Sequence, residues 1–277
     1  MAHPAQNGTL TGSEFRDLVE AGARCLEVNV EAINALNVFP VPDGDTGINM
    51  LLTVKAALAS IAPSSNAPTG ADSVADVSRA LARGALLGAR GNSGVIFSQF
   101  MKGVASGLAD CAECGGKDLR TALACAADAG YEAVGKPVEG TMLSVMRGAA
   151  EAVKDDDGPP RGVLRVALEA AERALAHTPE QLAVLKEAGV VDAGGQGVVA
   201  FLTGALAYLE GKDSAVRILE AVDVTKAPAS VSREFLEHSE DEMYGYCTQF
   251  IILGQGLEVD GLRQAIMAIA GSTVVNG

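Results

Sequence analysis

From Thr11 to Glu210 the apolar residues recur at helical spacing, and four short links rich in Gly, Asp, Asn, Ser and Thr interrupt them. Almost no stretch in this span alternates with the period of two that a half-buried strand requires. Such a pattern favours packed helices over a sheet, and the links could converge at one end of an antiparallel bundle. The packing residues agree. The chain is 48% hydrophobic but has no Trp and only 4% aromatic residues, so Ala, Leu, Val and Gly fill the core and favour close-packed helices over a β-sandwich.

The spacing and punctuation predict about eight or nine helices. Thr11 and Glu14 form a capping box. Behind it Phe15, Leu18, Gly22, Cys25, Asn29, Ile33 and Leu36 recur at helical spacing, giving a single long helix ending near Leu36. Further helices are expected over 47–61, from a cap at Asp72 or Ser73, and over 95–108 and 117–134. Later ones run from 142 to about 153, over 162–177, from Thr178-Pro179 to about 188, and over 198–210. Residues 1–10 read as a loose tail, 11–212 as the helical domain and 213–234 as a linker. Residues 235–277 read as the truncated start of an α/β domain, with strands at 246–253 and 273–275 around a helix at 260–270.

The first link is Asn37-Val-Phe-Pro-Val-Pro-Asp43-Gly-Asp45-Thr-Gly-Ile-Asn-Met50. Pro40 and Pro42 stiffen the approach, and Gly44 lets the chain turn between two carboxylates. A helix start follows directly. Carboxylates for a hard cation beside amides for phosphate are the parts of a Mg²⁺-nucleotide site. A plain loop whose acids cap and turn the chain is the competing reading. The second link, Gly88 to Gly94, offers Asn92 and Ser93 to phosphate, or else Ser93 as a helix cap. The third holds Gly140, Thr141 and Met142, and the fourth Asp192, Gly194, Gly195 and Gly197. None is a P-loop. Gly195-x-Gly197-x-x-Ala200 lacks the strand that a dinucleotide fingerprint requires.

A formal net charge of −14 argues against nucleic acid or an anionic membrane face as partner. No segment has the length of apolar residues needed for a membrane span, and the N-terminus lacks a signal-peptide pattern. Five cysteines, an odd number at irregular spacing, fit a reducing cytoplasm, and Cys111-x-x-Cys114 has no second pair or neighbouring His. His177 reads as a last-turn residue near a helix C-terminus.

Together the segments Asn37–Met50, Gly91–Gly94, Gly140–Met142 and Asp192–Gly195 resemble the DhaL (DAK2) domain, the nucleotide-binding part of dihydroxyacetone kinases. The wording of the first segment is closest to the fatty acid kinase branch, and Tyr244-Gly-Tyr-Cys247-Thr is similar to the start of that branch's middle domain. The resemblance implies an all-α barrel of about eight antiparallel helices with Mg-ATP at one rim. It implies two Mg²⁺ ions held by Asp43 and Asp45, with Asn37 nearest to the place of a third acid. Thr46, Gly47, Ile48 and Asn49 would follow phosphate and ribose, and Asn92 and Ser93 the phosphates. Thr141, Met142, Asp192 and Gly194 would line the nucleoside end, although a core position would equally explain Met142. Cys247 matches a metal-binding Cys of the middle domain, but no His follows it, so a buried thiol is the simpler reading here.

The implied activity is ATP-dependent phosphoryl transfer, with ADP as product. An ionised fatty carboxylate needs no general base, which favours acyl phosphate formation on a lipid-carrying fatty-acid-binding protein. A homodimer of the full-length protein is also implied. A dihydroxyacetone kinase subunit and a non-catalytic nucleotide-binding regulatory module are the alternatives.

Overall fold

The computed structural model describes residues 8–61, 73–216, 252, 254 and 258–268. Among them are twelve helices and no strand. They are α1 Gly12–Val28, α2 Val30–Ala35, α3 Thr46–Ala59, α4 Val74–Gly88, α5 Gly91–Gly107 and α6 Gly116–Ala133. Then follow α7 Met142–Ala152, α8 Pro160–Ala176, α9 Thr178–Gln181, α10 Ala183–Ala188, α11 Ala193–Leu209 and α12 Val259–Met267. The expected all-α scaffold is thus present. The strand expected at 273–275, that at 246–253 apart from Ile252, most of the linker and Cys247 lie outside the described residues.

Eight long helices close into a ring in chain order. α1 packs on α3, and each of α3, α4, α5, α6, α7 and α8 packs on the next, through α11 back to α1. Backbone contacts fix which ends meet. Leu10 and Cys114 exchange N–H···O bonds of 2.9 and 2.8 Å, and the Val74 N–H donates to the Ala112 carbonyl at 3.1 Å. Gly116 lies against the Gly158 carbonyl. The starts of α1, α4, α6 and α8 therefore share one end. The starts of α3, α5, α7 and α11, which carry the four links, face the other.

Small residues let the helices close up. A Cβ on Gly103 of α5 would come within 2.2 Å of the Cys125 carbonyl on α6, and one on Gly204 within 2.3 Å of the Ala21 carbonyl on α1. α11 has buried residues around its whole circumference, as its apolar sequence demands. The few aromatic rings gather: Phe97 packs edge-on against Phe201 at 5.3 Å and Phe100 at 6.2 Å.

Several expected boundaries move. The capping box forms, with the Thr11 N–H on Glu14 Oε2 at 2.8 Å, but the single first helix is two, broken at Asn29. Asn29 Nδ2 donates to the Cys25 carbonyl at 2.7 Å and the Val216 carbonyl at 2.8 Å, competing with the helix ladder. α5 begins at Gly91 rather than at 95, and α11 at Ala193 rather than at 198, so the glycines lie inside the helices. Ser93 is therefore not a helix cap; Arg90 holds that position. The helix expected from Thr178 to 188 is two short ones, α9 and α10, parted at Leu182. Ser73 rather than Asp72 caps α4, accepting from the Asp76 N–H at 3.1 Å.

Candidate functional site

The first link turns at Gly44, whose φ of 66° is left-handed, and brings the carboxylates of Asp43 and Asp45 together. Burial and the neighbouring Asp45 push the Asp43 carboxyl above its ordinary range, while the Asn37 amide pulls it back. Asn37 Nδ2 donates to Asp43 Oδ1 at 2.6 Å. Neither aspartate forms a salt bridge among the described residues. Asp45 stands at the N-cap of α3, yet its side chain caps nothing. Asn34 does that work instead, its Oδ1 accepting from the N–H groups of Gly47 at 2.7 Å and Ile48 at 3.3 Å. The plain-loop reading of Asp45 as a cap does not hold.

This arrangement also shifts the expected phosphate contacts. The Gly47 and Ile48 amides are already engaged by Asn34, so they are not an open cradle. The start of α5 is: no side chain caps it, and Asn92 is exposed there. It sits directly on α3. Ser93 Oγ donates to the Thr46 carbonyl at 3.4 Å, and the Arg90 N–H to Thr53 Oγ1 at 3.2 Å. Gly91 takes a φ of 56° and packs so tightly that a Cβ would lie 2.4 Å from Asn49 Nδ2. The first two links thus form one continuous surface of two carboxylates, amides and hydroxyls.

The third and fourth links meet in the same way but deeper. Thr141 caps α7, accepting weakly from the Leu143 N–H at 3.4 Å, and remains partly exposed. Met142 is buried against Gly194. Asp192 is buried and caps α11, accepting from the Gly195 N–H at 2.6 Å and facing the Met142 N–H. Burial pushes its pKa up to about 6, opposed by those two amides. Of the expected nucleoside contacts, Thr141 reaches the surface; Met142, Asp192 and Gly194 lie beneath it and tie α7 to α11. One turn into α11, Gly197 packs on Met50 of α3, joining this pair of links to the first.

Asn34, Thr53 and a cluster that shapes the third link carry no motif in the sequence. Glu139 accepts from Ser144 Oγ at 2.6 Å, contacts Arg147 at 3.1 Å and accepts from Tyr131, over whose ring Arg147 lies at 3.5 Å. The Gly140 N–H donates to Ser144 Oγ at 2.9 Å. Asn at 34, one helical turn before Asn37, was the available signal, since Asn is a poor helix former that bonds to nearby backbone.

Whether the pair fits a cation follows from its donor chemistry. Two carboxylates without a basic partner suit a hard divalent ion. Among the described residues no group of three or more His, Cys, Asp or Glu gathers, so Asn37, water and phosphate oxygens would complete the shell. Cys114 is not an alternative: burial pushes its thiol up to about 12, and its backbone pairs with Leu10. A cavity of about 420 Å³ between α3 and α4, lined by Ser60, Asp76, Arg79 and Leu87, includes none of the four links. No helix among the described residues is long and apolar enough to cross a membrane.

A family model described as the DAK2 domain matches residues 40–207, from the first link to the last ring helix. The chain belongs to the DAK2 domain family. Protein YloV of Bacillus subtilis is 39% identical over 251 residues, which span 88% of this chain and 44% of YloV. An uncharacterised protein, MG369, of Mycoplasma genitalium is 36% identical over 256 residues, 90% of this chain and 44% of that protein. The chain therefore spans less than half the length of these relatives. The DAK2 domain is also similar in fold to the dihydroxyacetone kinase of C. freundii, with a TM-score of 0.51 and 20% identity, covering 76% of this chain and 37% of that one. The same enzyme solved in complex with AMP-PNP and Mg²⁺ gives a TM-score of 0.51 at 18% identity.

Proposed function

We propose that this DAK2 domain is the Mg-ATP-binding part of a phosphotransferase whose acceptor is a fatty carboxylate presented by a separate lipid-carrying protein. The observation that carries the reading is the Asp43–Asp45 pair, free of capping and of basic partners, beside the uncapped start of α5. In this reading Asp43 and Asp45 hold the cation, with Asn37 fixing Asp43. The first-turn amides of α5, with Asn92 and Ser93, orient the phosphates. Thr141 lies at the nucleoside end. Bound Mg²⁺ supplies charge neutralisation on the polyphosphate. A carboxylate oxygen of the acceptor bonds to the γ-phosphorus as the bridging P–O bond breaks, giving acyl phosphate and ADP.

Support for a carboxylate acceptor comes from the side chains around the acid pair. Asn34, Asn37, Thr46, Asn49, Asn92 and Ser93 are amides and hydroxyls, which bind but do not take up protons near neutral pH. An acceptor that is already ionised asks for no more.

The fold similarity to a dihydroxyacetone kinase supports a second reading, with a hydroxyl acceptor activated by a residue of another subunit. One experiment separates the two. The protein is incubated with Mg-ATP and either lipid-loaded carrier or dihydroxyacetone, and acyl phosphate is trapped with hydroxylamine. Acyl hydroxamate with the carrier, and no ADP release with dihydroxyacetone, is the expected result. Asp43→Ala should lower the rate by about 100-fold or more. Activity unchanged by that substitution would remove Asp43 from the chemistry.

A further inference from the structure

We propose that Asn34 is a positioning residue that keeps the Asp45 carboxylate available to a divalent cation by capping α3 in its place. The inference rests on the assignment of Asp43 and Asp45 to the cation and extends it to the residue behind them. An N-cap side chain ordinarily accepts from the second or third N–H of its helix. In α3 those belong to Gly47 and Ile48, and Asn34 Oδ1 takes both, at 2.7 and 3.3 Å. Asp45, the residue placed to cap, makes no cap bond. Its backbone is set differently as well. Thr11 and Ser73, which cap their own helices, are extended with ψ of 166° and 157°, whereas Asp45 has ψ of 3°.

Two features make the substitution of one cap for another work. Gly47 allows the close approach, since a Cβ there would lie 3.0 Å from Asn34 Oδ1 and 2.7 Å from the Val30 carbonyl. Asn34 is also neutral, so it satisfies the helix start without a third negative charge beside two carboxylates. Without Asn34 the two amides need another acceptor, and the Asp45 carboxylate is the nearest in sequence. Capping and cation binding then compete for one side chain.

The experiment compares the wild-type protein with Asn34→Ala, Asn34→Asp, Asp45→Ala and the double variant Asn34→Ala/Asp45→Ala. Calorimetric titration with Mn²⁺ in the presence of ADP reads cation affinity, and thermal unfolding reads stability. Asn34→Ala should bind Mn²⁺ about tenfold more weakly with a small loss of stability, since Asp45 re-caps α3. Asn34→Asp, which keeps the acceptor oxygen, should bind at least as tightly as wild type. In the Asp45→Ala background, Asn34→Ala should add no further loss of affinity but a larger loss of stability, because no cap remains. A purely structural Asn34 would cost equal stability in both backgrounds and leave affinity untouched, which overturns the proposal. So would Asn34→Asp binding as weakly as Asn34→Ala. Should Asn34→Ala not fold, Asn34→Ser, whose shorter hydroxyl falls short of the amides, is read in the same way. If Asp45→Ala itself leaves Mn²⁺ affinity unchanged, the cation assignment fails and this inference with it. If Asp45→Ala weakens binding and Asn34→Ala does not, this inference alone fails.

Discussion

Asp192 and Asp45 are both N-cap aspartates, and their surroundings give them opposite tasks. Asp192 is buried and accepts from the Gly195 N–H, with the Met142 N–H also facing it. Desolvation outweighs those amides and raises its pKa from 3.8 to about 6. The sign follows from proton counting. Between the two values the folded state holds a proton that the unfolded state has released, so stability falls as pH rises through that window and levels off above it. Asp192→Asn removes the titration. The stability advantage of wild type over this variant should shrink by about 1.5 kcal/mol between about pH 5 and 7.5. Urea unfolding at a series of pH values measures it, and a constant difference would mean that Asp192 is not held in a desolvated site. Asp43 and Asp45, at the surface with amide and hydroxyl neighbours, have no such structural duty.

At the scale of elements, close approach decides where helices begin and how they pack. Caps set by side chains were readable: Thr11 with Glu14, and Ser73 before α4. Glycine runs were not, because each Gly costs roughly 1 kcal/mol of local helix propensity and so reads as loop. In α11 that cost is overridden by packing, since only Gly at 194 and 197 leaves room for Met142 and Met50. The break at Asn29 was hidden because the apolar spacing runs on through it. The placing of two carboxylates just before a helix start could be read from the sequence; Asn34 could not, because its partners are amides thirteen and fourteen residues on. The same packing logic gives a measurable contrast. Gly103→Ala sets a methyl 2.2 Å from the Cys125 carbonyl and 2.6 Å from Ala126 Cα, where no rotamer can relieve it. It should destabilise by about 1–3 kcal/mol despite better helix propensity. Gly162→Ala in α8 meets nothing closer than Pro159 Cδ at 3.6 Å and should be neutral or stabilising by up to about 1 kcal/mol. Urea midpoints of the two variants check both expectations.

For the molecule as a whole, the site depends on ring closure. The first link precedes α3 and the fourth precedes α11, so the two halves of the surface are held in register only while α11 lies against both α1 and α3. A short strap after α11 reinforces that closure. Arg24 Nε donates to Ser214 Oγ at 3.0 Å, and Cys25 Sγ and Asn29 Nδ2 both donate to the Val216 carbonyl, at 3.3 and 2.8 Å. Arg165 on α8 and Lys212 both pair with Glu210 at the end of α11. These contacts mark where the chain can be cut. Residues 8–216 hold all eight ring helices, all four links and the strap. A protein ending at Val216 should therefore fold and bind Mg-ADP with an affinity within about twofold of the full chain. One ending at Glu210 loses three hydrogen bonds from the strap to Arg24, Cys25 and Asn29, the last two of which are buried. It should be less stable by roughly 2–4 kcal/mol. Its affinity for nucleotide should fall in proportion to the fraction unfolded, so ligand saturation should restore part of the lost stability. Thermal unfolding with and without Mg-ADP distinguishes the cases. Equal stability of the two truncations would show that the ring closes without its strap, and loss of binding in the longer one would place part of the site beyond Val216.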